Sequence, residues 1–164
     1  MKLKKDTKNI YIKIPSYLRN MDVVSEHISI CKKKGHVWIM KMGKKPSNNY
    51  LEDVIKESGG IILKSHSRFG NKFYYANLKS IKPSKNENMY YPEYYNDIMK
   101  NMGISLDNLI EKETWLKAEN FREISEEQAN NFKIGNKDKE FTHVAKRAFQ
   151  IPFMYITNTK DIEI

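Results

Sequence analysis

The sequence predicts an α+β fold built on a mixed or barrel-like sheet flanked by short helices. Three observations lead there. β-branched and aromatic runs recur along the whole chain as strand candidates, interleaved with short amphipathic segments but without a regular strand–helix–strand period. The 164 residues, 40% hydrophobic and 12% aromatic with 30% charged, can bury a sizeable core and do not fit a disordered composition. The single cysteine excludes an intrachain disulfide framework and a cysteine-based zinc finger, so burial must carry the fold.

The elements follow in order. Residues 9–14, NIYIKI, read as a strand that Pro15 and Ser16 end. Residues 21–34 place Val23, Val24, His27, Ile28, Ile30 and Cys31 at helical spacing. The run Lys32–Lys34 before Gly35 marks a helix C-terminus, where cations meet the dipole and glycine accepts the left-handed cap. HVWIMKM, 36–42, is a second strand, and a Pro/Ser/Asn loop leads to a short helix at 50–57 closed by Gly59-Gly60. IILKS, 61–65, is a third strand, followed by the loop SHSRFGN and a long strand at 72–82. After a polar turn at 83–88 come a helix at 94–101, broken at Met102-Gly103, and one helical turn at 105–110. Residues 114–124 form a strand ending at Ser125, and Ser125 with Gln128 three residues on is a capping-box pattern for a helix over 126–132. A polar loop at 135–139, a helix at 141–149 and a strand at 152–157 complete the chain. There is no internal repeat and no low-complexity tract.

The net charge of +9 is unevenly placed. Residues 1–34 carry nine Lys/Arg against three Asp/Glu, residues 35–100 eleven against six, and residues 101–164 nine against eleven. The surplus belongs to the first hundred residues, and such a surface attracts phosphate backbones without regard to sequence. A lysine-rich composition raises the charge of many ordinary proteins too. Bidentate forks need arginine, and only Arg19, Arg68, Arg122 and Arg147 are available. No apolar run approaches the roughly 20 residues of a membrane span. The basic start MKLKKDTKN lacks the apolar stretch of a signal peptide, so a cytoplasmic protein without membrane contact is expected.

No Walker or Rossmann glycine spacing, HExxH motif or nucleophile elbow is present. His27 and Cys31 stand i, i+4 on the first helix, but two ligands are not a metal site, and core packing is the simpler role. No cofactor is expected. Six of the ten tyrosines fall between residues 74 and 95, interleaved with Lys72, Lys79, Lys82 and Lys85. Aromatic faces stack on bases while lysines hold phosphates; tyrosines at a sheet rim with outward hydroxyls would give the same count. Adjacent tyrosines such as Tyr74-Tyr75 must point to opposite faces of a strand. The loop Ser65-His66-Ser67-Arg68 leaves a strand end with two hydroxyls, an imidazole and a guanidinium, a composition suited both to a binding loop and to a plain surface turn. Glu52, Asp53 and His66 are polar groups a fold could gather for catalysis, but no catalytic spacing supports that, and a non-enzyme is expected.

Three stretches resemble the EVE domain, a member of the PUA-like superfamily that includes YTH domains. His36–Lys41 resembles the family's opening strand. Leu51–Lys56 followed by Gly60–Ser67 resembles its helix and the strand that runs into a polar turn. Phe73–Leu78 stands where the family has a returning apolar strand, and Tyr91-Pro92, Trp115-Leu116 and Phe121–Ser125 follow in order. Met42-Gly43-Lys44 replaces the family's serine-glutamate-proline, and the first 35 residues have no counterpart. The resemblance implies a small PUA-like barrel over 36–164, with residues 1–35 a basic strand–helix extension packed on it. It implies a pocket that sandwiches a flipped or modified base between aromatics. By position, Trp38 matches the opening-strand tryptophan, and His66 and Ser67 match the turn. Lys41, Lys64, Ser65, Arg68, Tyr74, Tyr91 and Trp115 complete the expected nucleic-acid-binding set, on RNA or DNA. The rival expectation is a phage or mobile-element interaction module that inhibits a host defence complex, since interface cores enrich aromatics, Met and Arg.

Overall fold

In a computed structural model, residues 1–14, 21–112, 114–135, 138–147 and 151–164 are described. The strand terminator expected at Pro15-Ser16, Arg19, Asn136 and Lys137 in the 135–139 loop, and the last two residues of the helix expected over 141–149 lie outside them. Among the described residues, strands and helices are interspersed in the order β1 (Lys2–Leu3), β2 (Lys8–Ile12), α1 (Val23–Lys34), β3 (Val37–Lys41), α2 (Asn48–Lys56), β4 (Gly60–Lys64), β5 (Phe73–Ser80), α3 (Tyr94–Asn101), α4 (Leu106–Lys112), β6 (Thr114–Ile124), α5 (Glu126–Ala129), β7 (Phe132–Ile134), α6 (Phe141–Arg147), β8 (Phe153–Asn158) and β9 (Ile162–Glu163). A 3₁₀ turn, Ser67–Phe69, follows β4.

Seven strands form one mixed sheet in the order β3-β6-β5-β4-β2-β8-β7, and β1 pairs with β9 apart from it. All neighbours in the large sheet are antiparallel except β2 and β4, which run parallel with Ile10 opposite Ile61. The α+β class is therefore as expected. The sheet is not a closed barrel: β3 and β7 are its edges. Both edges are covered locally. Trp38 N donates to Tyr90 O at 2.8 Å, and Ile134 N donates to Lys139 O at 2.9 Å, which blunts the free rims.

The basic N-terminal stretch supplies a strand of the large sheet. β2 lies inside the sheet, bonded on one side to β4 and on the other to β8. The period-2 pattern explains why. Ile10, Ile12 and Ile14 face one apolar core, and Tyr11 faces the other. On the first face α1 to α4 pack on the sheet; on the second, Phe132, Phe141 and Ala145 close over Tyr11, Ile62, Phe73 and Tyr75.

Gly59 and Gly60 do more than end a helix. A Cβ at Gly59 would stand 1.9 Å from Lys8 O, and one at Gly60 2.2 Å from Ala76 O and 2.5 Å from the Tyr75 ring. Only glycine lets α2 turn straight into a strand wedged between β2 and β5. Asn9, fully buried, fixes the same corner: its Oδ1 accepts from Gly60 N at 2.9 Å and from the Tyr75 hydroxyl at 3.2 Å, and its Nδ2 donates to Thr7 O at 2.8 Å.

Candidate functional site

The turn after β4 is built by its own polar groups. Lys72 N donates to Ser65 Oγ at 2.8 Å, and Ser65 N donates to Lys72 O at 2.9 Å, which pins the base of the loop. Ser65 is buried, so its hydroxyl holds the turn rather than facing a ligand. His66 precedes the 3₁₀ turn, and its Nδ1 accepts from Arg68 N at 3.1 Å. A ring nitrogen that accepts leaves Nε2 as the protonated, donating one in the neutral imidazole. Gly70 and Asn71, both at positive φ, bring the chain back into β5.

That turn forms one wall of a small cleft of about 120 Å³ at the carboxyl ends of the parallel strands β2 and β4. Lys64, Ser65, His66, Ser67 and Asn71 line one side; Tyr11, Lys13 and Ile14 come from β2 and its continuation; Ala145 and Lys146 come from α6. Lys64 is half-buried. Its Nζ donates to Asn71 Oδ1 at 2.9 Å and to Ser65 O at 3.0 Å. Burial pushes the Lys64 ammonium below its ordinary value, and the charges of Lys13 and Lys146 push it the same way. Lys146 is also paired with Glu126, which offsets part of this charge. Among the described residues, no carboxylate lines the cleft. Each of the three larger grooves, of about 430, 510 and 710 Å³, carries at least one: Glu123, then Glu26 with Glu93 and Asp97, then Glu87.

The other expected residues are scattered. Trp38 and Trp115 are completely buried, on β3 and β6, and line none of these grooves. The expected pocket shared by Trp38 and the 65–70 turn does not form, because β6 and β5 stand between β3 and β4. Strand β3 is an edge strand, yet its Trp38 belongs to the first core; on β6, Tyr91 and Tyr95 stand 5.8 and 5.9 Å from the Trp115 ring. Lys41 is buried at the end of β3 with its Nζ donating to Met42 O at 2.5 Å. Tyr74 lines the 430 Å³ groove between α1 and the outer halves of β5 and β6. Tyr91 borders both the 510 and 710 Å³ grooves. Arg68 is exposed on the 3₁₀ turn. The tyrosine cluster divides accordingly: Tyr75, Tyr94 and Tyr95 are core, and the face of Tyr90 is covered by Lys34 Nζ at 4.8 Å from its centroid.

The remaining titratable candidates are structural. His27 is buried with Nδ1 donating to Val23 O at 2.8 Å, so the Tyr95 hydroxyl donates to Nε2 at 2.7 Å, and the Tyr95 oxygen accepts from Met40 N at 3.3 Å. Burial pushes this imidazole down to about 4. Asp53 is ion-paired to Lys8 at 2.5 Å, which holds its carboxyl below the usual range, and it stands on α2 away from the His66 turn. Among the described residues, no group of three or more His, Cys, Asp or Glu is placed to hold a metal ion, and no helix is long and apolar enough to cross a membrane.

Sequence reasoning found Lys64 and the Ser65–Ser67 turn but missed Lys13, Asn71 and Lys146. Lys13 reads as one more outward lysine on a strand, and Lys146 sits in the acidic last third of the chain. No family model, curated protein or solved structure matches the chain.

Proposed function

We propose that the chain is a nucleic-acid-binding module without catalysis of its own, and that the Lys64 cleft seats a phosphate of the bound strand. The observation that carries this reading is the convergence of Lys13, Lys64 and Lys146 on a cleft that no carboxylate lines among the described residues. The charges of Lys13 and Lys146 act unfavourably on the Lys64 ammonium, and a phosphate in the cleft would offset that repulsion. The His66 Nε2–H and the Ser67 hydroxyl supply neutral donors beside them. Tyr74 and Tyr91 are the aromatic candidates that reach the surface, and each stacked base is worth about 1–3 kcal/mol. In its finer form the proposal includes a diverged PUA-like fold, EVE-like over the unit β3–α2–β4, with the sheet left open.

The test is a fluorescence-anisotropy titration with short RNA and DNA strands at about 50 and 200 mM salt. With three lysines on phosphates of a single strand, affinity should fall roughly 20-fold across that range, and Lys64→Gln should lower the salt slope by about 0.7. Failure of every RNA and DNA strand to bind at low salt would sink the proposal.

A further inference from the structure

The cleft differs from an ordinary basic groove in size as well as charge. Its volume of about 120 Å³ has room for a few water molecules, against 430–710 Å³ in the three grooves that carry carboxylates. A base with its sugar does not fit. Its walls are fixed: Ile14 and Ala145 are buried apolar side chains, and Ser65 is tied to Lys72 through both its hydroxyl and its backbone N–H.

An internal phosphodiester has a nucleoside on each side, so two chain directions must leave the mouth of so small a cavity. A terminal phosphate needs only one exit. Charge points the same way. A phosphodiester brings one negative charge, whereas a phosphate monoester brings about 1.5–2 near pH 7 and three terminal oxygens. Three converging lysines match the second better than the first.

We infer that the cleft lined by Lys13, Lys64, His66, Ser67 and Lys146 is a seat for a phosphate monoester, the terminal phosphate of a nucleic-acid strand. This rests on the nucleic-acid reading above for the source of the monoester, though not for the chemistry of the seat. Lys64 lines the cleft from β4 with its Nζ held by Asn71 Oδ1 and Ser65 O, Lys146 lines it from α6 with its Nζ paired to Glu126, and His66 and Ser67 line it from the turn.

The experiment compares one short strand with a 5′-phosphate, a 3′-phosphate or two hydroxyl ends, labelled internally, and adds inorganic phosphate as a separate ligand read by thermal shift. One phosphorylated end should bind about tenfold tighter than the hydroxyl strand, as expected for one or two added charge-assisted hydrogen bonds. Lys64→Gln should erase that difference between the ends, and should weaken the hydroxyl strand by no more than the loss of one phosphate contact. Lys146→Gln, on an exposed position of α6, gives a second arm that does not disturb the core. Equal binding of all three strands overturns the inference and leaves the nucleic-acid reading intact. Stabilisation by inorganic phosphate that depends on Lys64, with no strand bound, supports the seat and overturns the nucleic-acid source. No binding of any ligand, or an end preference untouched by both substitutions, overturns the inference.

Discussion

At the scale of single residues, burial decides which polar groups are available for function. His27 illustrates this best. It was legible in the sequence as a histidine on the apolar face of a helix, and the structure gives it two partners and no solvent exposure. Unfolded, an imidazole takes up its proton near pH 6.5; here it does so only near 4. Between those values the unfolded chain binds more protons, so this group's contribution is whole above about pH 6.5 and is lost as pH falls towards 4. Urea denaturation should therefore show a loss of about 2–3 kcal/mol between pH 7 and 4.5 that is missing in His27→Gln. Parallel pH profiles for the two proteins would contradict the buried neutral assignment. The two tryptophans carry the opposite lesson. A strand tryptophan in sequence does not disclose which face is covered; both lie in the core that α1 helps to close, and Tyr91 and Tyr95 pack against Trp115.

At the scale of elements, what the sequence could show depended on how local the cause was. The strand 114–124 and the helix 94–101 coincide with their expected bounds, since each is long and strongly patterned. Helix α1 ends as expected at Gly35, whose N–H donates to Cys31 O at 2.8 Å after the three lysines. The capping box at Ser125 is formed in both directions, but its helix stops at Ala129 rather than running to 132. Phe132 is pulled into the second core and pairs with Asn158, a partner far along the chain that overrides local propensity. The two-residue strands β1 and β9 escaped for the same reason, each existing only through the other. The corner at Asn9 is likewise tertiary: one amide ties β2, β4 and β5 together. Asn9→Ala should cost about 2–3 kcal/mol, because the Gly60 N–H and the Tyr75 hydroxyl lose their partner inside the core. A shift of under about 0.5 kcal/mol in the unfolding midpoint analysis would show that the corner does not depend on it.

At the scale of the whole molecule, the charge surplus of the first hundred residues was legible, but its focus was not. Lys13, Lys64 and Lys146 come from three distant stretches, one of them in the acidic part of the chain, and meet only because β2 and β4 run parallel and α6 folds over their ends. The turn at 65–70 was identified from its residue types; its partners needed the topology. The central claim is that nucleic acid binds at this cleft, and the most direct test is a map of backbone amide shifts in ¹⁵N–¹H spectra as a short oligonucleotide is added. The largest shifts are expected at Lys13, across Lys64–Lys72 and at Ala145-Lys146. Shifts confined to the groove between α1 and Tyr90–Tyr94, or no shifts at low salt, would contradict it.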